Sequence, residues 1–216
     1  MNRALKPSPE EKHQHADIPR KTVYRLSLYL RCLELIVANS GKIVSSAALA
    51  SVACVQPAQL RRDLAYCGPL GKRGTGYDVL FLRNRLEEIL GRASLQPVIL
   101  VGAGNLGQAL LSYKGFAKEG FEIVAAFDLR PQRIKAGKIP VCDMHALQPI
   151  VRKQAIRMAI LCVPGSAAQQ VAEQLFKAGI HAILNFSTAV LHLPETIAVN
   201  NVNLAIELEN LSYFTR

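Results

Sequence analysis

Tryptophan is absent from this 216-residue chain. No apolar run reaches the roughly 18 residues of a membrane span, because Gly, Asn, Gln or Pro interrupts each one. A membrane partner is therefore not expected. Cysteine is sparse and poorly spaced for metal or disulfide chemistry. Cys32, Cys54, Cys67, Cys142 and Cys162 are odd in number and include no CxxC pair. Neither a zinc ribbon nor a disulfide framework is indicated, and a reducing cytoplasm is the natural setting. The opening stretch MNRALKPSPEEKHQHADIP lacks the apolar segment of a secretory signal, so none is expected. Acidic residues are the scarcer charge: 16 Asp and Glu stand against 26 Lys and Arg.

What is present excludes a wholly disordered chain. Half of the residues are hydrophobic and 19% are charged, enough apolar material for a core. The length admits one large domain or two small ones. The net charge of +10 is uneven: positions 1–95 hold 15 basic and 8 acidic residues, and the remainder holds 11 and 8. An excess of cations in the first half points to a nucleic-acid-facing module, although a basic surface without a polyanionic partner is common.

The hydrophobic pattern changes period near residue 95. Residues 1–19 are polar and aperiodic, the pattern of a flexible arm. Pro19 then opens a helix carrying Val23, Leu26, Leu30, Leu33 and Val37 at helical spacing, closed by Gly41. Ile43-Val44 is a short extended piece. A helix over 47–54, capped by Ser45 or Ser46, a turn at Val55-Gln56 and a helix over 57–66 follow. Four glycines and a proline make 68–77 a loop or hairpin, and a further helix spans 79–90. Beyond Pro97, apolar strands at 98–101, 121–127, 158–163 and 182–186 alternate with helices at 106–111, 144–152 and 166–177. That alternation predicts βαβ units and a parallel sheet. An amphipathic helix at 204–214, with Leu204, Leu208, Leu211 and Phe214 on one face, ends the chain.

Two motifs carry chemistry. The run Gly102-Ala103-Gly104-Asn105-Leu106-Gly107 matches GxGxxG, follows an apolar strand and opens a helix, as a dinucleotide-binding turn must. Gly102 permits the tight turn, Gly104 lets backbone approach a pyrophosphate, and Gly107 lets helix and strand close up. Asp128 ends the next strand, 21 residues after Gly107, where a carboxylate accepts from the adenosine ribose and repels a 2′-phosphate. This favours NAD over NADP, with Arg130 and Arg133 as the nearby counter-argument. At the nicotinamide end, Cys162-Val163-Pro164-Gly165 and Asn185-Phe186-Ser187-Thr188 lie at strand ends where ligands bind, although each is also an ordinary strand-end turn.

The second motif is Gln59-Leu60-Arg61-Arg62-Asp63-Leu64, on the second helix of a helix-turn-helix. There Arg61 and Arg62 would face a major groove, where an Arg fork can read guanine. Pro69-Leu70-Gly71-Lys72-Arg73-Gly74-Thr75-Gly76 follows as a wing with Lys72 and Arg73 at its tip, suited to a minor groove.

Joined, Arg61-Arg62-Asp63, the Gly71-Lys72-Arg73-Gly74-x-Gly76-Tyr77 run, the glycine turn, Ala125-Ala126-Phe127-Asp128 and Ile183-Leu184-Asn185-Phe186 resemble the Rex redox-sensing transcriptional repressors of bacteria, over nearly the whole chain. The resemblance implies an α/β fold in four parts: a flexible arm at 1–19, a winged helix-turn-helix domain at 20–92, a Rossmann NAD(H)-binding domain at 96–202, and a domain-swapped dimerisation helix at 203–216. It implies a cytoplasmic homodimer on an inverted-repeat operator of double-stranded DNA, released when NADH binds and permitted by NAD+. The implied cofactor contacts come from Gly102, Ala103, Gly104, Asn105, Leu106, Gly107, Tyr113, Asp128, Arg130, Val163, Pro164, Asn185 and Phe186. The implied DNA contacts come from Ser45, Ser46, Gln59, Arg61, Arg62, Tyr66, Lys72, Arg73 and Gly74. It also implies a switch. Rex proteins usually carry Asp where Asn203 stands, exchanging partners between an arginine matched here by Arg31 and a tyrosine matched by Tyr113. The rival reading is an NAD-dependent oxidoreductase with an accessory DNA-binding domain. It lacks room for a substrate domain, since 31 residues follow Asn185. None of the histidines is expected to be catalytic, and no acid is expected to orient His145, His181 or His192.

Overall fold

Pro19 starts the first helix with its carbonyl, which accepts from the Thr22 and Val23 N–H groups. In the computed structural model, which describes residues 18–38, 41–71, 74–134 and 136–215, this helix is α1 (Arg20–Ala38). There follow β1 (Ile43–Val44), α2 (Ser46–Val52), α3 (Pro57–Ala65), β2 (Tyr77–Asp78) and α4 (Val79–Ile89). These lie in the first of two units into which the chain divides, Met1–Ser94 and Leu95–Arg216. Leu26, Leu30 and Leu33 from α1 meet Leu49, Leu60, Leu82 and Leu86 in a core with no solvent exposure. Burying one such side chain contributes about 1.5–3 kcal/mol. Val23 and Leu80, expected on apolar helix faces, are exposed instead.

Local capping explains the helix ends. Ser45 caps α2 by accepting from the Ala48 N–H at 3.0 Å, and Asp78 caps α4 from the Phe81 N–H at 2.8 Å. The expected helix over 47–54 stops at Val52. Ala53 is its C-cap, and Cys54 turns left-handed with φ +52°. The strands β1 and β2 pair antiparallel, Ile43 with Asp78 and Val44 with Tyr77, and anchor the base of the wing. Gly76, at φ +83°, approaches Val44 so closely that a Cβ would meet its carbonyl oxygen at 2.7 Å.

The second unit alternates strand and helix: β3 (Gln96–Val101), α5 (Asn105–Leu111), α6 (Gly115–Lys118), β4 (Phe121–Phe127), β5 (Val141–Cys142), α7 (Leu147–Lys153), β6 (Met158–Leu161), α8 (Gly165–Ala178), β7 (Ala182–Asn185), β8 (Ala198–Asn201) and α9 (Leu204–Tyr213). The sheet order is β5-β4-β3-β6-β7-β8, and each neighbouring pair is parallel. The chain winds outward from β3 in one direction, then returns past it to β6. The strand order therefore reverses between β3 and β6, and in such sheets ligands bind at the strand carboxyl ends beside that reversal. The apolar strands Ile99–Val101 and Ala125–Phe127 fill the interior, with Ala168, Ala172 and Leu175 of α8 packed over the sheet. The short edge strands β5 and β8 were not expected, and the expected strands at 158–163 and 182–186 end two residues and one residue early.

Candidate functional site

The glycine turn is built by close approach. Gly102, at φ +93°, sits where a Cβ would meet the Cys162 carbonyl oxygen at 2.6 Å. A Cβ on Gly107 would strike the carbonyl oxygen of Gly102, so only glycine lets α5 pack against the strand it follows. Gly104 is different: nothing lies within 4 Å of where its Cβ would stand. As the N-cap of α5 it brings no side chain to the N–H groups of the first turn, which an α-helix leaves without intrahelical partners. Asp128, just beyond β4, accepts from the Ala103 N–H through Oδ2 and from the Arg130 N–H through Oδ1, each at 2.9 Å. A carboxylate offers roughly four lone-pair sites, so acceptor capacity remains. Ala103, Gly104, Gln108, Asp128, Arg130, Arg133 and Ile134 line a cleft of about 270 Å³. Its shape and donors fit the adenosine and pyrophosphate of a dinucleotide: room over Gly104, N–H donors at a helix start, and a carboxylate at the strand end.

The other expected cofactor residues take different parts. Asn105 and Leu106 are exposed at the start of α5. Tyr113 is exposed and meets Phe116 edge-on, ring centroids 5.0 Å apart. Val163 is half-buried and Pro164 exposed at the start of α8, and Phe186 is half-buried. Asn185 is fully buried, and its amide makes four hydrogen bonds inside the unit. Burial pushes the Cys162 thiol up to about 11, which keeps it protonated and unreactive at neutral pH. Asn203 caps α9, its Oδ1 accepting from the Ala205 N–H at 3.0 Å and the Ile206 N–H at 3.3 Å. Arg31 lies exposed on α1, in the other unit.

In the first unit Arg61 and Arg62 are exposed on α3. The Arg61 guanidinium donates to the Ser46 hydroxyl at 3.3 Å, and Arg62 donates to the Ala58 carbonyl at 3.4 Å. Ser45, Ser46, Arg61, Gly71, Gly74, Gly76 and Tyr77 line a groove of about 310 Å³ between the helix-turn-helix and the wing. Tyr66 is exposed at the end of α3. Lys72 and Arg73, expected at the wing tip, and the arm up to position 17 lie outside the described residues.

The residue that sequence reasoning missed is Asp63. It sits beside two exposed arginines yet is only 1% exposed. Arg25 reaches it from α1 with Nε at 2.6 Å and Nη2 at 2.7 Å, a two-point grip. The Tyr29 hydroxyl donates at 2.8 Å, the Gln59 amide at 2.9 Å and the Thr22 hydroxyl at 3.3 Å. Burial alone would push the Asp63 carboxyl up. The bonds from Arg25, Tyr29 and Gln59 outweigh it and hold the carboxyl below its ordinary 3.8. This cluster fixes the rotation of α3 about its axis, and with it the outward aim of Arg61 and Arg62. The only sequence signal was the i, i+4 pairing of Gln59 with Asp63.

Cys32 and Cys67 are buried, and Cys54 is exposed in the left-handed turn. One expectation needs correction. An acid does sit beside one histidine: Asp143 Oδ1 lies 3.8 Å from Nε2 of His145, on a fully exposed ring.

The family described as "CoA binding domain" matches residues 94–189, and that described as "Putative DNA-binding protein N-terminus" matches residues 17–65. The redox-sensing transcriptional repressor Rex of Lactobacillus gasseri is 45% identical over 91% of this chain and 93% of its own. Rex of Streptomyces coelicolor is 43% identical over 91% of this chain and 77% of its own. Among solved structures, RSP, a Rex-family repressor, is 36% identical in complex with NAD+ and operator DNA, covers 92% of both chains and gives a TM-score of 0.85. The same repressor with NADH covers 93% of this chain and 95% of its own, at 35% identity and a TM-score of 0.80.

Proposed function

This chain belongs to the Rex family of redox-sensing transcriptional repressors, and from that premise we propose that it is a homodimeric, cytoplasmic repressor whose hold on an inverted-repeat operator follows the NADH/NAD+ ratio. It is a repressor and not an oxidoreductase, as its relatives are named. The observation that carries the reading is the pairing, in one chain, of the open glycine turn under Asp128 with an arginine-bearing helix beside a wing.

We assign operator binding to 20–92, NAD(H) binding to 96–202 and dimerisation to 203–216. The turn N–H groups and the start of α5 hold the pyrophosphate, and Asp128 accepts from the adenosine ribose. NAD(H) supplies a nicotinamide ring that is cationic when oxidised and neutral when reduced. The loops after β6 and β7, with Val163, Pro164 and Phe186, surround that ring and distinguish the two forms. Arg61 and Arg62 face base edges, while Ser45, Ser46 and Gly74 approach the backbone. No residue of α9 is buried among the described residues, and Leu204, Leu208, Leu211 and Phe214 are all more than 60% exposed. An apolar helix left uncovered by its own chain belongs against a second copy. We assign the switch to Asn203, Arg31 and Tyr113; an uncharged residue at 203 holds a cationic partner less tightly than a carboxylate does.

Gel-shift titration tests the reading. NADH is expected to release the operator, and NAD+ to leave the complex intact. Asp128→Ala is expected to lower NADH affinity by about tenfold or more, the loss of a hydrogen bond to a charged group being about 1.5–3 kcal/mol. Its operator binding without cofactor should equal the parent's. A variant with parental NADH affinity would overturn the cofactor assignment.

A further inference from the structure

A run of close contacts leads along the strand ends, from the glycine turn toward α9. A Cβ on Gly102 would meet Cys162 and Val163, so the turn packs on the loop after β6. A Cβ on Gly165 would meet the Thr188 hydroxyl at 2.8 Å, so that loop packs in turn on the loop after β7. At the root of the second loop is Asn185, with no exposed surface. Its Oδ1 accepts from the Ser187 N–H at 3.0 Å and the Ser187 hydroxyl at 2.6 Å. Its Nδ2 donates to the Ala189 carbonyl at 3.0 Å and to Oδ1 of Asn201 at 2.8 Å. The backbone runs beside it, the Val202 N–H donating to the Asn185 carbonyl at 2.8 Å.

Two acceptor and two donor sites are filled, which is all a primary amide has to give with this geometry. A carboxylate at 185 would have no donor for Asn201 or Ala189, and an aliphatic residue would leave Ser187 and Asn201 unpaired. The amide therefore has one orientation, and it grips β8 at its last residue. Two residues later Asn203 caps α9. Asn201 itself is exposed and lies outside the cofactor cleft.

We infer that Asn201 is a positioning residue for the redox response: its bond to Asn185 ties the end of β8, and so the start of α9, to the loops that sense the nicotinamide. The inference rests on the reading that those loops meet the cofactor and that α9 belongs to the dimer. A shift of the loop after β7 then moves the root of α9, whereas with the bond cut that side-chain tie to the edge strand is lost. Coupling between two sites is carried by such packed, hydrogen-bonded elements, and residues that touch neither ligand modulate it.

The test uses the full chain as Asn201→Ala and Asn201→Asp. Three quantities are measured: NADH affinity by fluorescence, operator affinity without cofactor, and operator affinity at saturating NADH. In Asn201→Ala the first two are expected to stay within about twofold of the parent. The factor by which NADH weakens operator binding is expected to shrink by about tenfold. Asn201→Asp retains an acceptor for the Asn185 amide and is expected to restore most of that factor. An Asn201→Ala protein with the parent's full NADH response would overturn the inference, as would an equal loss in all three quantities, or an Asn201→Asp protein no better than Asn201→Ala. A parent whose operator affinity ignores NADH would overturn the redox-sensing reading itself, and this inference with it.

Discussion

Asp63 shows how one buried carboxylate can govern two exposed cations. Its five hydrogen bonds come from α1 and from its own helix, so α3 is oriented from beneath while its arginines stay exposed. The partner left behind, Arg25, keeps 24% of its side chain exposed, so losing the hydrogen bonds to the charged Asp63 costs about 1.5–3 kcal/mol. Asp63→Ala should therefore lower unfolding stability by that amount, read from urea melts. The carboxyl is held below its ordinary value in the fold. Its stabilisation is thus fully present above the unfolded-state value near 4, and is lost as the pH falls through the lower, folded-state one. Melts between pH 5 and pH 2 are expected to show a weaker pH dependence in Asp63→Asn than in the parent. An identical slope would mean that Asp63 carries no charge-dependent stability.

Among the described residues, the elements differ in how far their own chain covers them. The helix α8 buries Ala168, Ala172, Leu175 and Ala178 against the sheet and ends at left-handed Gly179. The last helix, α9, is well formed, N-capped by Asn203, and buries nothing among the described residues. A ten-residue helix is marginal alone in water, so its order needs a packing partner. Deleting residues 203–216 is expected to yield monomers by sedimentation, with operator binding at least tenfold weaker because two half-sites are no longer held together. A deletion protein that sediments as a dimer would move the interface elsewhere.

For the molecule as a whole, the net charge of +10 and its concentration in the DNA-binding half set the electrostatics of operator binding. Arg62→Ala is expected to cost about 1–3 kcal/mol on the operator and to relax specificity at one base. Lys72→Ala is expected to weaken all duplexes about equally and to lower the salt slope by about one unit. The opposite pattern in salt titrations would exchange the roles of helix and wing. Redox discrimination acts on top of this background. A hundredfold preference for one nicotinamide form corresponds to about 2.7 kcal/mol, and only that difference can move the DNA equilibrium.

Local chemistry in the sequence determined most of the elements and the dinucleotide turn. Apolar runs make the central strands, a serine or aspartate starts a helix, and GxGxxG with Asp128 needs only a strand before it and a helix after it. The edge strands β5 and β8 were illegible, because Val141-Cys142 and Ala198–Asn201 carry no apolar run and are specified by the neighbour they pair with. Asp63 read as one more polar residue on a charged helix, since its partners Arg25 and Tyr29 stand 38 and 34 positions away. Asn185 read as a candidate ligand. Its amide faces Ser187, Ala189 and Asn201 because β7 and β8 lie side by side, and strand adjacency is a long-range fact that no local pattern records.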